Sequence, residues 1–500
     1  MSDLYEVSFD RNALANTLIK LNQGWQADQQ TFENIDKLRD PNSVVVIGGQ
    51  QAGILSGPLY TINKIISIIS FAKQQTILLG IPVLPVFWIA GGEDHDYDEV
   101  NHVYLPDGTD LKKYAMGDHY TERVSISNRS LDKEDAVQWI NLIIRELKES
   151  TYTKKIVTNL EKHLKTADTF VDFFALFIHE LFAETGLILI DSDDKDVRQL
   201  EVSFFKDIIQ NQPVISQDVF QSLQTMKTNG YHVTVEANEN DGHLFIKENN
   251  ERILLQKMNK IWVGKNNECQ YTEEELLKIA TETPERLSNN VVTRPLMQEK
   301  LFPTLAFFAG PSEAAYWSIL KGSFHSLSMK MPPVLPRISL TMVEQKVLKQ
   351  INRYNLSLTQ VINQGGVQSH RLNWLKSQSQ APVDEMANQF KRMIIDGHGP
   401  MKEVTTHLSD DISQFADKNL ELLLKQVDHL ANRINQEFKR KYADHLNEFD
   451  FVQMHVNPFN GLQERTWNIL YFLNIYGDDW LKDISNYPFD WKKQHYVVYL

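Results

Sequence analysis

The stretch VVVIGGQQAGILSGPLYTINK, Val44 to Lys64, decides the fold. It opens as an apolar β-branched run, bends through glycines and continues with helical spacing. Pro58 falls where a first helical residue is favoured. The same unit recurs downstream. IPVLPVFWIAGG (81–92) is a second apolar strand, and ADTFVDFFALFIHELFAETG (167–186) is an amphipathic helix that the sequence ends at Gly186. LILID (187–191), TLAFFAG (304–310) and PPVLPRIS (332–339) are further strands, with the helical PSEAAYWSILKGSFHSL (311–327) between the last two. Apolar, non-alternating strands separated by helices imply a parallel sheet covered on both faces. The expected class is α/β, a Rossmann-like doubly wound parallel sheet.

The rest of the chain arranges around that core. Residues 1–43 read as helical. Insertions run from about 103 to 166 and from about 195 to 294. The second holds strand-like pieces, YHVTVEAN, GHLFIKEN, ERILLQKM and KIWVGK, that suggest a small antiparallel sheet. The core thus covers 44–372. Residues 373–455 are polar and helical, and Leu423, Val427, Leu430, Ile434 and Phe438 form a narrow apolar seam. That pattern suits a helical hairpin within one chain or a dimer contact. Residues 456–500 are aromatic and are expected to pack back on the core.

The chain has 500 residues and a net charge of −14, which disfavours nucleic acid and anionic membranes as partners. Cys269 stands alone, so internal disulfides and thiolate zinc sites are excluded. The N-terminus is not a signal peptide, and the most apolar run, Ile77 to Gly92, is short and broken by prolines. A cytoplasmic protein is expected.

In a doubly wound sheet, ligands bind at the carboxyl ends of the strands. After the first strand come Gln50, Gln51, Gly53 and Gly57, then Tyr60, Thr61 and Lys64 in the first helical turns. The glycines allow close backbone approach, the helix start offers N–H groups to an anion, and the glutamines suit a carboxylate, amide or sugar. The pattern is neither GxGxxG nor GxxxxGK[ST]. The second strand leads to GGEDHDYDEVNH (91–102), where His95 and Asp96 are the expected acid–base pair and Asn101 is next. This acidic segment also has the chemistry to bind Mg²⁺, whereas a zinc site lacks the ligand spacing. Asp191 ends the third strand. Ser312 reads as an N-cap with Glu313 in the first turn, and Tyr316 and Trp317 read as packing. Arg294 and Arg337 are cations among apolar strands and call for an anion. No residues are assigned to a metal.

GGQQAGILSGPLYTINK, PVFWIAGGEDHDYDEVNHVYLP, GLILIDSDD, RPLMQEKLFPTLAFFAGPSEAAYW, MPPVLPRISLTMVE and NGLQER together resemble the bacillithiol biosynthesis cysteine-adding enzymes, from about Lys37 to Leu500. The resemblance implies a nucleotidyltransferase-like core with two connecting-peptide insertions and a C-terminal coiled coil that makes a homodimer. It implies a ligase that joins L-cysteine to glucosaminyl malate, the last step of bacillithiol synthesis, with ATP or ADP and Mg²⁺ as the expected activating partners. The first turn lacks the paired histidines of an adenylate-forming HxGH motif. The acceptor is therefore expected in the crevice, with malate carboxylates on the helix N-terminus and His95 deprotonating the amine. A nucleotide is expected elsewhere, at Asn457, Asn460, Gly461 and Arg465 in HVNPFNGLQERTWN. Two departures stand out: only 43 residues precede Val44, and the family's Thr-Gly-Gln-Gln reads Gly48-Gly49-Gln50-Gln51. A nucleotidyltransferase-like enzyme on another substrate and a non-catalytic coiled-coil binding protein stay open as alternatives.

Overall fold

A computed structural model describes residues 4, 7–92, 97–117, 125–249, 251–378, 382–493 and 495–500. The chain divides into two compact units. One comprises Met1–Leu105, Lys112–Thr341 and Glu464–Val498; the other comprises Pro106–Leu111, Met342–Gln463 and Tyr499–Leu500.

The first unit is built on five parallel strands: β1 (Val44–Gln50), β2 (Val83–Ile89), β3 (Ile188–Asp191), β4 (Thr304–Ala309) and β5 (Val334–Pro336). Their order is β5-β4-β1-β2-β3. β1 pairs with β2 from Val44–Val83 to Gln50–Ile89, and Ile89 lies opposite Asp191. This register brings the strand ends level, so Gln50, Ala90 and Asp191 follow one another along one edge. The central strands are buried throughout, as a sheet covered on both faces requires. Val45, Ile47, Leu84, Val86 and Trp88 join the core with Leu14, Leu18 and Ile35 of the N-terminal helices Arg11–Gly24 and Gln29–Lys37. The N-terminal helices also pin β3. The Asn22 side chain donates to Leu189 O at 2.8 Å and accepts from Leu189 N at 3.1 Å. On the other face lies the 21-residue helix Leu59–Leu79, whose Ile62, Ile65, Ile66 and Ile69 are fully buried.

The insertion after β3 carries the helices Lys195–Leu200 and Val202–Thr228 and an antiparallel sheet of five strands. Tyr231–Asn238, read from the sequence as a strand, is irregular backbone. Asp241–Glu248, Glu251–Met258, Ile261–Gly264 and Gln270–Thr272 are strands, joined by Leu287–Asn289. The helix before β3 stops at Leu181 rather than at Gly186. Gly186 instead makes the turn into β3 at φ +72°, its carbonyl held by Asn34. Arg294 lies on the helix Thr293–Leu301 and not on a strand.

The second unit is helical. Its two long helices, Val383–Thr406 and Asp410–Lys441, pack against each other. No helix among the described residues is long and apolar enough to cross a membrane.

Candidate active site

A cavity of about 510 Å³ opens at the carboxyl ends of β1, β2, β4 and β5. β1 contributes Gly49, Gln50 and Gln51, and β2 contributes Trp88 and Ala90. The helix Pro311–Trp317 that follows β4 adds Ser312, Glu313 and Tyr316. Arg294, Arg337 and Arg465 complete the wall together with Tyr60.

The floor demands glycine. A Cβ on Gly49 would lie 2.8 Å from Trp88 O and 2.9 Å from Trp88 Cβ. Past Gln51 the backbone becomes left-handed at two non-glycine residues, Leu55 (φ +50°) and Ser56 (φ +73°), before Gly57. Such residues cost on the order of 1–3 kcal/mol each and persist only when their surroundings hold them. Here the holder is Asn468, whose amide donates to Leu55 O at 2.9 Å and Gly57 O at 2.7 Å. Trp467 O then accepts from Leu59 N at 2.8 Å, while Thr61 N donates to Pro58 O. The helix N-terminus expected to take an anion is therefore capped by the chain itself at both of those N–H groups.

Lys64, buried beside the cavity, and Arg337 on its wall are each matched by a carboxylate. Lys64 is buried and its Nζ donates to Gly49 O at 2.6 Å, to Gln50 Oε1 at 3.1 Å and to Glu313 Oε2. Burial lowers its pKa, and the charge of Glu313 opposes that shift. Because Gln50 Oε1 accepts from Lys64, its Nε2 is left to donate. Glu313 also accepts from Gly310 N at 2.7 Å, so Gly310 is the N-cap and Ser312 sits exposed one residue inside the helix, not at the cap position read from the sequence. Arg337 makes a fork-on-fork pair with Glu464, at 2.7 and 2.8 Å. Asn63 and Ser339 fill the remaining lone pairs of Glu464 at 2.7 and 3.0 Å. Burial works to raise the Glu464 pKa, but Arg337 and these donors outweigh it and hold the carboxylate below its ordinary range. Arg294 donates to Gln298 Oε1 at 3.2 Å and to the Tyr316 hydroxyl at 3.3 Å, so Tyr316 is a wall residue rather than packing; Trp317 is packed, stacked on Phe307. The Tyr60 hydroxyl is pushed up by burial and by Glu99, which keeps it protonated as a donor.

The other sequence-derived candidates lie in several places. His95 and Asp96 fall outside the described residues. Gln51 donates to Glu99 at 3.0 Å. Thr61, Gly53 and Gly57 are buried in the turn beneath the cavity. Asn101 does not line it; its amide donates to Met116 O at 3.3 Å. Asp191 is also off the wall. It accepts from Ser127 Oγ at 2.7 Å and Asp193 N at 3.2 Å, and burial, then the charge of Asp193, raises its pKa to about 7. Of the four residues grouped as a nucleotide site, Arg465 lines the crevice. Asn457, Asn460 and Gly461 belong to the helical unit, where Asn457 donates to Ile362 O and both asparagines accept from Gln453. Asn468 and Glu464 were not singled out from the sequence: their partners lie some 400 and 127 residues away, and nothing local marks them.

A parallel sheet of this order with a cleft at its strand ends, lined by three arginines, defines a Rossmann-like protein with its crevice where such folds bind ligands. Comparison with known proteins narrows this. Residues 1–338 match the family described as "Bacillithiol biosynthesis BshC, N-terminal Rossmann-like domain", and residues 340–500 match "Bacillithiol biosynthesis BshC, C-terminal coiled-coil domain". The chain belongs to the BshC family. It is 40% identical to a protein of Oceanobacillus iheyensis over 99% of this chain and 91% of that one, and 39% identical to one of Bacillus cytotoxicus over 100% and 92%. Both carry the name "Putative cysteine ligase BshC". A solved structure titled "putative arginyl t-RNA synthetase", from Campylobacter jejuni, covers 86% of this chain and 96% of its own at 9% identity and a TM-score of 0.23, too low to bear on the fold.

Proposed function

We propose that this chain is a ligase that joins L-cysteine through its carboxyl to the amine of glucosaminyl malate, completing bacillithiol. The observation that carries this reading is the crevice, about 510 Å³ and walled by three arginines with amide and hydroxyl side chains between them. Its volume suits a small organic ligand. Guanidinium groups match carboxylates, and Gln50, Gln51 and Ser312 match sugar hydroxyls and amides. Family membership and the names of the relatives support the cysteine-ligase class. On this reading His95 and Asp96 are the acid–base pair, with His95 taking the proton from the attacking amine.

A carboxylate must be activated before an amine can displace its oxygen, and ATP with Mg²⁺ supplies that chemistry. Of the four residues expected to hold the nucleotide, Asn457, Asn460 and Gly461 are proposed for it, and Arg465, on the crevice wall, is not. The partners proposed are the two substrates and a second copy of the chain, and the compartment proposed is the cytoplasm. The test is the low-molecular-weight thiols of a strain deleted for its own ligase. The chain is expected to restore bacillithiol, and His95→Ala is expected to leave glucosaminyl malate accumulating. Failure of the intact chain, where a relative succeeds, overturns the reading.

A further inference from the structure

Three arginines line the crevice and Lys64 lies buried beside it, and among the described residues their ion pairing is unequal. Lys64 is matched by Glu313 and Arg337 by Glu464. Arg294 is buried and holds Gln298 and Tyr316. Arg465 is exposed on the wall, and no carboxylate among the described residues pairs with it. The backbone that carries it is held on both sides. The preceding Glu464 is locked by Arg337, Asn63 and Ser339, and the following Trp467 and Asn468 are bonded to the turn at Leu55–Leu59. A guanidinium on a segment anchored at both ends, lining a cleft and paired with no carboxylate among the described residues, is placed for an anion from outside.

We infer that Arg465 is the specificity-determining anchor for a substrate carboxylate, and that Glu464 is the positioning residue that keeps Arg337 from competing for it. This rests on the ligase reading for the identity of the acceptor, whose malyl group carries the carboxylates. A planar carboxylate fits the guanidinium fork. A phosphate has less to use here, since the N–H groups of Leu59 and Thr61 are already bonded within the chain. The segment Glu464–Asn468 thus selects acceptors by charge while it braces the turn.

The test is calorimetric titration of the purified full chain with glucosaminyl malate, L-malate, N-acetylglucosamine and inorganic phosphate. It uses the unaltered protein, Arg465→Gln and Arg465→Lys, with thermal melting as the folding control. Loss of one charge-assisted contact is expected to weaken glucosaminyl malate and L-malate roughly ten- to hundredfold in Arg465→Gln. Arg465→Lys should recover part of the loss, and N-acetylglucosamine should not distinguish the three proteins. Unchanged malate binding in Arg465→Gln overturns the inference, as does phosphate binding as tightly as malate. Malate binding lost in the variant, from a chain that does not restore bacillithiol, upholds the anchor and sinks the ligase reading. Bacillithiol restored by a chain whose Arg465→Gln variant binds malate normally does the reverse.

Discussion

Asp191 ends an apolar strand, and its carboxyl is buried between Ser127 and the backbone of Asp193. Burial, and after it the charge of Asp193, raises its pKa from the ordinary 3.8 to about 7. Between those two values the folded chain holds a proton that the unfolded chain has released. The contribution of this group therefore falls as pH rises from about 4 to about 7 and levels off above that. Asn in its place can still accept from Ser127 and from Asp193 N, and it does not titrate. Asp191→Asn is expected to match the parent in urea unfolding near pH 4 and to exceed it at pH 8, by at most on the order of 4 kcal/mol. A stability difference independent of pH would show that Asp191 is ionised in its site. Arg337 and Glu464 present the opposite case, a buried pair in which each charge depends on the other. Removing one partner of such a pair leaves an uncompensated charge, whereas the intact pair adds little net stability and mainly fixes geometry. That is why its value here lies in aligning the wall of the crevice.

At the scale of elements, the helices Val383–Thr406 and Asp410–Lys441 bury little of their apolar surface against each other. Of the residues read as a seam, Val427 is buried and Phe438 is half-buried, while Leu423, Leu430 and Ile434 face out. Phe415 and Leu422, spaced by seven, add to that outward stripe, with Phe415 68% exposed. A stripe of this kind calls for a second helical surface. On the proposed dimer, Phe415→Glu with Leu422→Glu is expected to halve the mass seen by sedimentation and to leave helical content in circular dichroism unchanged. A parent chain that sediments as a monomer would overturn the dimer. The strands of the sheet were legible because a strand buried on both faces has to be an unbroken apolar run. For the same reason Gln50, Gln51, Tyr60 and Glu313 could be placed at strand ends. Ser312 lies on the crevice wall, but the N-cap of its helix is Gly310, because the helix begins at Pro311. At the helix start read as an anion site, Leu59 N is taken by Trp467 O while Asn468 holds the preceding turn, and no local pattern records a contact between segments some 400 residues apart.

For the whole molecule, the unit that holds the crevice is assembled from three stretches of chain, the last being Glu464–Val498. That stretch gives the unit Trp467, Ile469, Leu470, Phe472 and Leu481, all fully buried, besides Glu464 and Asn468. At about 1.5–3 kcal/mol for each buried side chain, these five are worth roughly 10 kcal/mol. The whole stability of a domain is about 5–15 kcal/mol. A fragment ending at Thr341 is therefore expected to lack a cooperative urea transition. The stretch between is a different matter, since Met342–Gln463 forms a unit of its own. Ser339 Oγ lies 3.0 Å from Glu464 Oε1, so the two ends of the first unit meet. A short glycine–serine linker from Thr341 to Glu464 would close a small loop at little entropic cost. The bypassed chain is expected to unfold in one transition and to retain the Arg465-dependent malate binding, although it lacks the helices proposed for the dimer. If the fragment ending at Thr341 unfolds as cooperatively as the bypassed chain, the C-terminal stretch is an appendage and the crevice does not depend on it. If the bypassed chain alone is folded, the wall of the crevice and the core of the unit are completed by the same 35 residues, and folding and acceptor recognition depend on one late segment of the sequence.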